Sequence, residues 1–287
     1  MRTWVLLRGL TRESGHWGAF LTSFQARFPR DRIVLLDLPG NGTEHRTRTP
    51  ATVEAMAGWV REALLARQFK PPYHVLAMSL GAMVTTAWAD QAPDEIAAAV
   101  LVNTSLKPFS RVTQRLRPRN WPRFVRLLLR PSSALAFEQA VYEMTCNTRP
   151  APSRVLDDWV LVRRQRPVSR GNAWRQIRAA LRYRAPRTCP FPLVGPDQGP
   201  MHGQAPGDAA SSAPTTGRRR VLLLTSAGDQ LVHADCSRQL AAAWGCAIQE
   251  HARAGHDLPF DDGPWVAEAV KRWVAALEQP VPAAPGA

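Results

Sequence analysis

Three residues of this chain carry side chains that together can perform nucleophilic catalysis, Ser79, Asp229 and His256, and they occur in that order along 287 residues. Ser79 sits in Ala77-Met78-Ser79-Leu80-Gly81, where an apolar run over 73–78 reads as a buried strand and the segment from Leu80 reads as a helix. A reversal this tight crowds the serine, so the positions two before and two after it favour tiny residues. Ala77 and Gly81 supply them. The turn lifts a hydroxyl off the strand end and leaves the Leu80 amide at a helix start, where a negative oxygen can be held. Taken alone, the pentapeptide fits a helix N-cap serine as well as such a nucleophile elbow.

The other two residues narrow the reading. Asp229 lies just past a strand-like run over 220–225, in Ser226-Ala227-Gly228-Asp229-Gln230. His256 lies in Ala254-Gly255-His256-Asp257-Leu258-Pro259, a loop after the last strand-like run, with a flexible glycine beside it. Among seven histidines it alone is so placed: His251 falls on the strand itself, as a packed ring, and His233 is too close to Asp229 in sequence. Asp257, Asp261 and Asp262 read as helix-start carboxylates.

Two further loops extend the pattern. A strand over 3–7 runs into Arg8-Gly9-Leu10, and a strand over 32–36 runs into Asp37-Leu38-Pro39-Gly40-Asn41-Gly42. With the order Ser, Asp, His, these motifs resemble the α/β-hydrolase superfamily over roughly residues 3–104 and 218–278. Within it, the chain is similar to the small capped serine esterases typified by pimeloyl-ACP methyl ester esterase. The resemblance implies Ser79 as nucleophile, His256 as base, Asp229 as the acid that orients it, and an oxyanion hole built from the backbone amides of Leu10 and Leu80. It implies no metal and no organic cofactor. Serine at the elbow argues against haloalkane dehalogenase and epoxide hydrolase activity, for which similar proteins use aspartate there.

Two positions depart from the family pattern. Ala77 replaces the first glycine of Gly-x-Ser-x-Gly, and Arg8-Gly9 replaces the usual His-Gly. Arg8 either holds its loop by hydrogen bonds or draws an anionic group of the substrate. Some members carry the acid after the preceding strand; here that position is Asn103, which cannot serve as a carboxylate.

Positioning such a site takes an alternation of strands and helices. Trp17, Phe20, Leu21, Phe24 and Phe28 recur at helical spacing over 15–28, with Trp17 expected to pack the loop. Thr49-Pro50 is expected to open a helix whose Val53, Met56, Val60, Leu64 and Leu65 form an apolar stripe. A buried strand follows over 97–102, and near the C-terminus come a helix over 234–244, a strand over 246–251 and a helix over 263–277. The expected class is α/β, a mostly parallel sheet flanked by helices with ligands at the carboxyl ends of the strands. Between 105 and 187 the pattern is helical only, over 121–129, 134–144, 154–164 and 173–183, with Ser153 and Asn172 as expected N-caps of the last two. The expected organisation is thus a core of 1–104 and 218–287, a basic helical cap of 105–187, and a flexible Pro/Gly-rich insertion of 188–217, in which positions 190–217 hold six Pro and five Gly.

The net charge of +14 is concentrated. Residues 106–187 carry 19 Lys and Arg against 4 Asp and Glu, while the rest of the chain carries 18 against 19. An anionic carrier or head group drawn to that segment is one reading of this, and arginine as a solubilising surface cation is the other. No nucleic-acid motif accompanies the arginines, so no nucleic-acid partner is expected. Cys146, Cys189, Cys236 and Cys246 fall at unrelated spacings and are expected as reduced thiols. No apolar stretch approaches the ~20 residues of a membrane helix, and the start of the chain shows no signal-peptide pattern; a soluble, cytoplasmic protein is expected. The expected activity is hydrolysis of a carboxylic ester or thioester, small or carrier-bound, through an acyl-enzyme. Acyl transfer with the same triad and a non-catalytic, ligand-binding role are the alternatives.

Overall fold

Alternation along β1 (Thr3–Leu7) sets the architecture: Trp4 and Leu6 point to one face of a sheet, Val5 and Leu7 to the other, and all four are buried. A strand apolar on both faces needs cover on both, which is the condition for a parallel sheet between helices. The structure is a computed structural model, and it describes residues 1–129, 133–148, 153–194 and 218–279.

After β1 come α1 (Phe20–Arg27), β2 (Arg32–Leu36), α2 (Val53–Ala66), β3 (Tyr73–Met78), α3 (Leu80–Gln91) and β4 (Ile96–Val102). Five helices follow before the sheet resumes: α4 (Val112–Arg115), α5 (Trp121–Leu129), α6 (Ala134–Thr145), α7 (Ser153–Gln165) and α8 (Arg170–Arg182). A two-residue ribbon pairs β5 (Leu193–Val194) antiparallel to β6 (Arg218–Arg219). The chain then completes the sheet with β7 (Val221–Ser226), α9 (Asp235–Trp244), β8 (Ala247–His251), α10 (Leu258–Asp261) and α11 (Gly263–Glu278).

The main sheet has the order β2-β1-β3-β4-β7-β8, and every neighbouring pair is parallel. Met56 and Val60 of α2, Trp88 of α3 and Leu240 of α9 pack with Val5, Val75 and Leu223 on one face. Phe20 and Phe24 of α1 and Val266 and Val270 of α11 pack with Leu6, Leu76 and Leu222 on the other. Each such fully buried side chain contributes about 1.5–3 kcal/mol, so this two-sided core is what fixes the strand ends in space. No helix among the described residues is long and apolar enough to cross a membrane.

Most boundaries agree with the sequence patterns to within one or two residues, and three details differ. Thr52, not Thr49, caps α2, its Oγ1 accepting from the Ala55 amide at 3.2 Å. Asn172 is not a cap: α8 begins at Arg170, and Ser169 Oγ accepts from the Asn172 amide at 3.1 Å. The expected helix over 15–28 is broken into a single 3-10 turn, Ser14–Trp17, and α1, with Gly18 at φ 48° between them. Ser153 is the first residue of α7 rather than the capping residue before it, and its side chain lies outside the described residues, as do residues 195–217 of the expected Pro/Gly-rich insertion.

Candidate active site

The carboxyl ends of β1, β3, β4, β7 and β8 converge, and each delivers one piece of the site. At the end of β3, Ser79 adopts φ 53° and ψ −112°, a conformation that side-chain-bearing residues avoid at a cost of about 1–3 kcal/mol. The surroundings impose it. The Ser79 amide donates to the Val102 carbonyl at 3.0 Å, and the Ser79 carbonyl accepts from the Ala82 and Met83 amides as α3 begins. The hydroxyl makes no capping bond to α3, so it is left for chemistry. Gly81 is required by space: a Cβ there would lie 2.7 Å from the carbonyl oxygens of both Leu7 and Arg8. Leu80, as the first residue of α3, has no acceptor one turn back for its amide.

The loop after β1 presses on the elbow. A Cβ on Gly9 would stand 3.1 Å from Ser79 Cβ and 3.6 Å from Ser79 Oγ, so any side chain there would crowd the serine. Arg8 grips Asp257 with two parallel bonds, 3.0 and 2.5 Å, both residues buried. Its guanidinium also lies 4.7 Å from the centre of the Trp17 ring. Of the two readings of Arg8, the geometry carries the first, a hydrogen-bonded strut that ties the β1 loop to the loop after β8. Trp17 packs the loop, as expected, at 2% exposure.

Asp229 and His256 meet at the same end of the sheet, in the loops that follow β7 and β8. His256 Nδ1 lies 2.7 Å from Asp229 Oδ2, and both residues are buried. The second carboxylate oxygen accepts from the Leu231 amide at 2.7 Å and the Val232 amide at 2.9 Å, which fixes the acid's orientation. With Asp229 as acceptor, Nδ1 carries the proton and Nε2 is the basic nitrogen.

Other candidates are used elsewhere. His251 Nδ1 accepts from the Ala254 amide at 2.9 Å and its Nε2 lies 3.2 Å from Asp262, so it shapes the turn that leads to His256. His233 Nδ1 accepts from the Asp235 amide at 3.2 Å, outside the pocket. Asp262 caps α11, while Asp261 accepts from the amides of Gly255, Asn147 and Thr148, clamping loops rather than starting a helix. Cys146 is buried beside the site, and burial, then the charge of Asp257, pushes its thiol well up.

Sequence patterns did not disclose two contributors. Asn103, at φ 44°, donates from Nδ2 to the carbonyls of His256 (2.8 Å) and Gly255 (3.2 Å) and accepts the Ser226 amide at Oδ1 (2.9 Å). Gln176 of α8, fully buried, accepts the Thr11 amide at 2.9 Å and donates to Asn41 Oδ1 at 2.8 Å, bracing the loops after β1 and β2. Asn172, one turn earlier, accepts the Thr49 amide at 3.0 Å. The one available signal is that Asn172 and Gln176 are uncharged amides at i, i+4 in an arginine-rich helix.

Ser79, His256, Leu10 and Gly9 line one pocket of about 130 Å³, whose far wall comes from α5–α8. Phe124, Val141, Met144 and Ile177 make that wall largely apolar. The pocket can admit an acyl chain to a hydroxyl with an oriented imidazole in the same cavity.

Known proteins share this fold. The model of the alpha/beta hydrolase family matches residues 4–269. A pimeloyl-[acyl-carrier protein] methyl ester esterase from Chromobacterium violaceum is 32% identical over 107 residues, a match spanning 37% of this chain and 37% of that esterase. Among solved structures, BpoC from Mycobacterium tuberculosis H37Rv, provisionally assigned as a non-heme bromoperoxidase, superposes with a TM-score of 0.69 at 17% identity, covering 97% of this chain and 94% of that one. A thermophilic esterase from Thermogutta terrifontis gives 0.65 at 17% identity, covering 97% and 91%. At such identities the likeness is one of fold.

Proposed function

The chain belongs to the alpha/beta hydrolase family, and from that premise we propose that it is a serine hydrolase that cleaves a carboxylic ester or thioester through a Ser79–His256–Asp229 triad. The observation that carries the reading is the 2.7 Å contact of His256 Nδ1 with Asp229, together with the pocket that His256 and Ser79 both line. The esterase and hydrolase relatives support the reaction class.

In this reading Ser79 Oγ attacks the acyl carbonyl while His256 Nε2 takes its proton, and Asp229 stabilises the imidazolium. The amides of Leu80 and Leu10 receive the oxyanion, each donor being worth ~10²–10³ in turnover. Collapse breaks the bond to the leaving alcohol or thiol, which leaves with the imidazolium proton. Water then repeats the sequence on the acyl-serine and releases the acid. Helices α5–α8 act as a cap that shields the acyl-enzyme and supplies the acyl pocket, and a small-molecule or carrier-bound acyl ester is the substrate.

The test is covalent labelling with a fluorophosphonate together with turnover of short p-nitrophenyl esters and acyl-carrier thioesters. Both should be lost in Ser79→Ala with the circular dichroism unchanged. Labelling that survives in Ser79→Ala, or ester turnover that does not depend on Ser79, overturns the proposal. Product analysis with added alcohols separates hydrolysis, which yields acid alone, from acyl transfer.

A further inference from the structure

Four arginines, Arg8, Arg12, Arg163 and Arg170, line the pocket that holds Ser79, against one carboxylate, Asp257. That carboxylate is fully engaged, since both its oxygens accept from Arg8. Just behind the wall, the buried Glu138 faces two guanidinium groups at once: Arg12 Nη1 at 2.5 Å and Arg163 Nη1 at 3.7 Å. Two cations therefore share one anion, and one positive charge stays without a partner. The neighbouring acids do not make up the difference. Glu13 is paired with Arg166 at 3.0 Å, and Asp37 is taken by the amides and hydroxyls of Ser14 and Thr43. Arg170 is exposed at the rim and is compensated by solvent.

The excess has a location. Arg12 is 7% exposed, its guanidinium lies 4.1 Å from the centre of the Trp159 ring, and its Nη2 is buried with no hydrogen-bond partner. A buried guanidinium N–H without an acceptor is an unfavourable arrangement, and Arg12 is one of the residues that line the pocket. Burial, then Arg12, Arg8 and Arg163, push His16 well down, so the ring beside this cluster stays neutral. Arg12 also lines the pocket that holds Ser79. Its amide donates to the Gly9 carbonyl at 3.2 Å, closing a single turn on the loop that presses against Ser79.

We propose that the pocket is built for acyl groups that end in a carboxylate, with the ester carbonyl at Ser79, the methylene chain against the apolar wall, and the terminal carboxylate accepting from Arg12 beside Arg163. The inference rests on Ser79 being the nucleophile. One excess positive charge matches a singly charged carboxylate; a phosphate monoester, at close to two negative charges, would overshoot it. Guanidinium and carboxylate are also matched in geometry, planar fork to planar pair of oxygens.

The experiment compares mono-p-nitrophenyl esters of succinic, glutaric and adipic acids with the p-nitrophenyl esters of butyric, pentanoic and hexanoic acids. At the best chain length the wild type should favour the carboxylate-ended ester in kcat/KM by at least about tenfold, and the ratio should fall toward one in Arg12→Met and Arg163→Met. Taking the ratio within each protein cancels general damage. Arg163→Met keeps the Arg12–Glu138 pair and answers the question if Arg12→Met does not fold. A wild-type ratio of one or less, or a ratio unchanged in both variants, overturns the inference while leaving the hydrolase reading intact. If neither ester series is turned over, calorimetric titration with monomethyl glutarate, which carries a single charge like the proposed acyl group, decides this inference without turnover. Binding to wild type that weakens in Arg163→Met supports it, and no binding to wild type overturns it.

Discussion

Asn103 donates to the carbonyl of His256 at 2.8 Å, so the residue that ends β4 holds the candidate base by its own backbone. The same side chain takes the Ser226 amide, which joins three strand ends at one buried amide group. Asn103→Ala leaves these partners unsatisfied and should destabilise the fold by about 1–3 kcal/mol, read from urea unfolding. Asn103→Asp should not rescue it, because a carboxylate oxygen would face the His256 carbonyl. An unchanged midpoint in both variants would remove the clamp from the account.

Asp229 has two jobs on two oxygens, and substitution can separate them. In Asp229→Asn the remaining oxygen can keep the Leu231 and Val232 amides, but the new NH₂ faces His256 Nδ1 and reverses its tautomer. Turnover should fall by about 10⁴ with little loss of stability. Asp229→Ala should lose both. Equal thermal stability of the two variants would show that the amide contacts contribute nothing.

Gly81→Ala tests the elbow as a packing problem. The added methyl meets two backbone oxygens at 2.7 Å that cannot swing aside, because Leu7 ends a central strand. We expect destabilisation of about 1–3 kcal/mol, measured by thermal unfolding, together with reduced turnover as Ser79 is displaced.

Acid should weaken the fold through His74. Burial, then the charge of Arg2, lowers this histidine to about 4, and its Nδ1 is buried without a partner beside Trp4. Its folded-state value lies below its unfolded one, so the unfolded chain binds the extra proton. Stability is fully present above about pH 6.5 and is lost as pH falls toward 4, by up to about 3 kcal/mol. His16 acts in the same direction. His74→Phe should shrink the difference between urea midpoints at pH 7 and pH 4.5; an equal difference in wild type and variant would acquit His74.

Gln176→Ala should lower kcat more than it raises KM. The side chain holds the Thr11 amide, next to Leu10, in a loop where Thr11 itself sits at φ 54°. Releasing that loop misaims an oxyanion donor, with a loss of up to ~10² in kcat. Faster hydrogen exchange at the Thr11 amide should accompany it. A change confined to KM would make Gln176 a pocket residue only.

The strands and the three catalytic candidates were legible because they are local patterns: an apolar run, a turn, a reactive residue placed after the strand. Ser79, Asp229 and His256 need only that. What was not legible is non-local. Arg8 meets Asp257 across 249 positions and Asn103 meets His256 across 153, and neither contact has a sequence period. Asn172 was misread for the same reason, since its side chain answers to Thr49 rather than to its own helix end. Thr49 was misread as a helix start because its hydroxyl and amide are taken by Pro39 and Asn172.

Asn172 and Gln176 project one turn apart from α8 into loops that belong to the sheet. The inserted helices and the strand frame are therefore not exchangeable parts, even though the chain enters and leaves them only once. Grafting another protein's helices at residues 105–187 would leave the amides of Thr11 and Thr49 facing side chains chosen for a different frame. A working graft has to carry the loops at 9–12 and 39–49 with it, so the smallest unit that can be inherited or engineered as one piece is discontinuous in sequence.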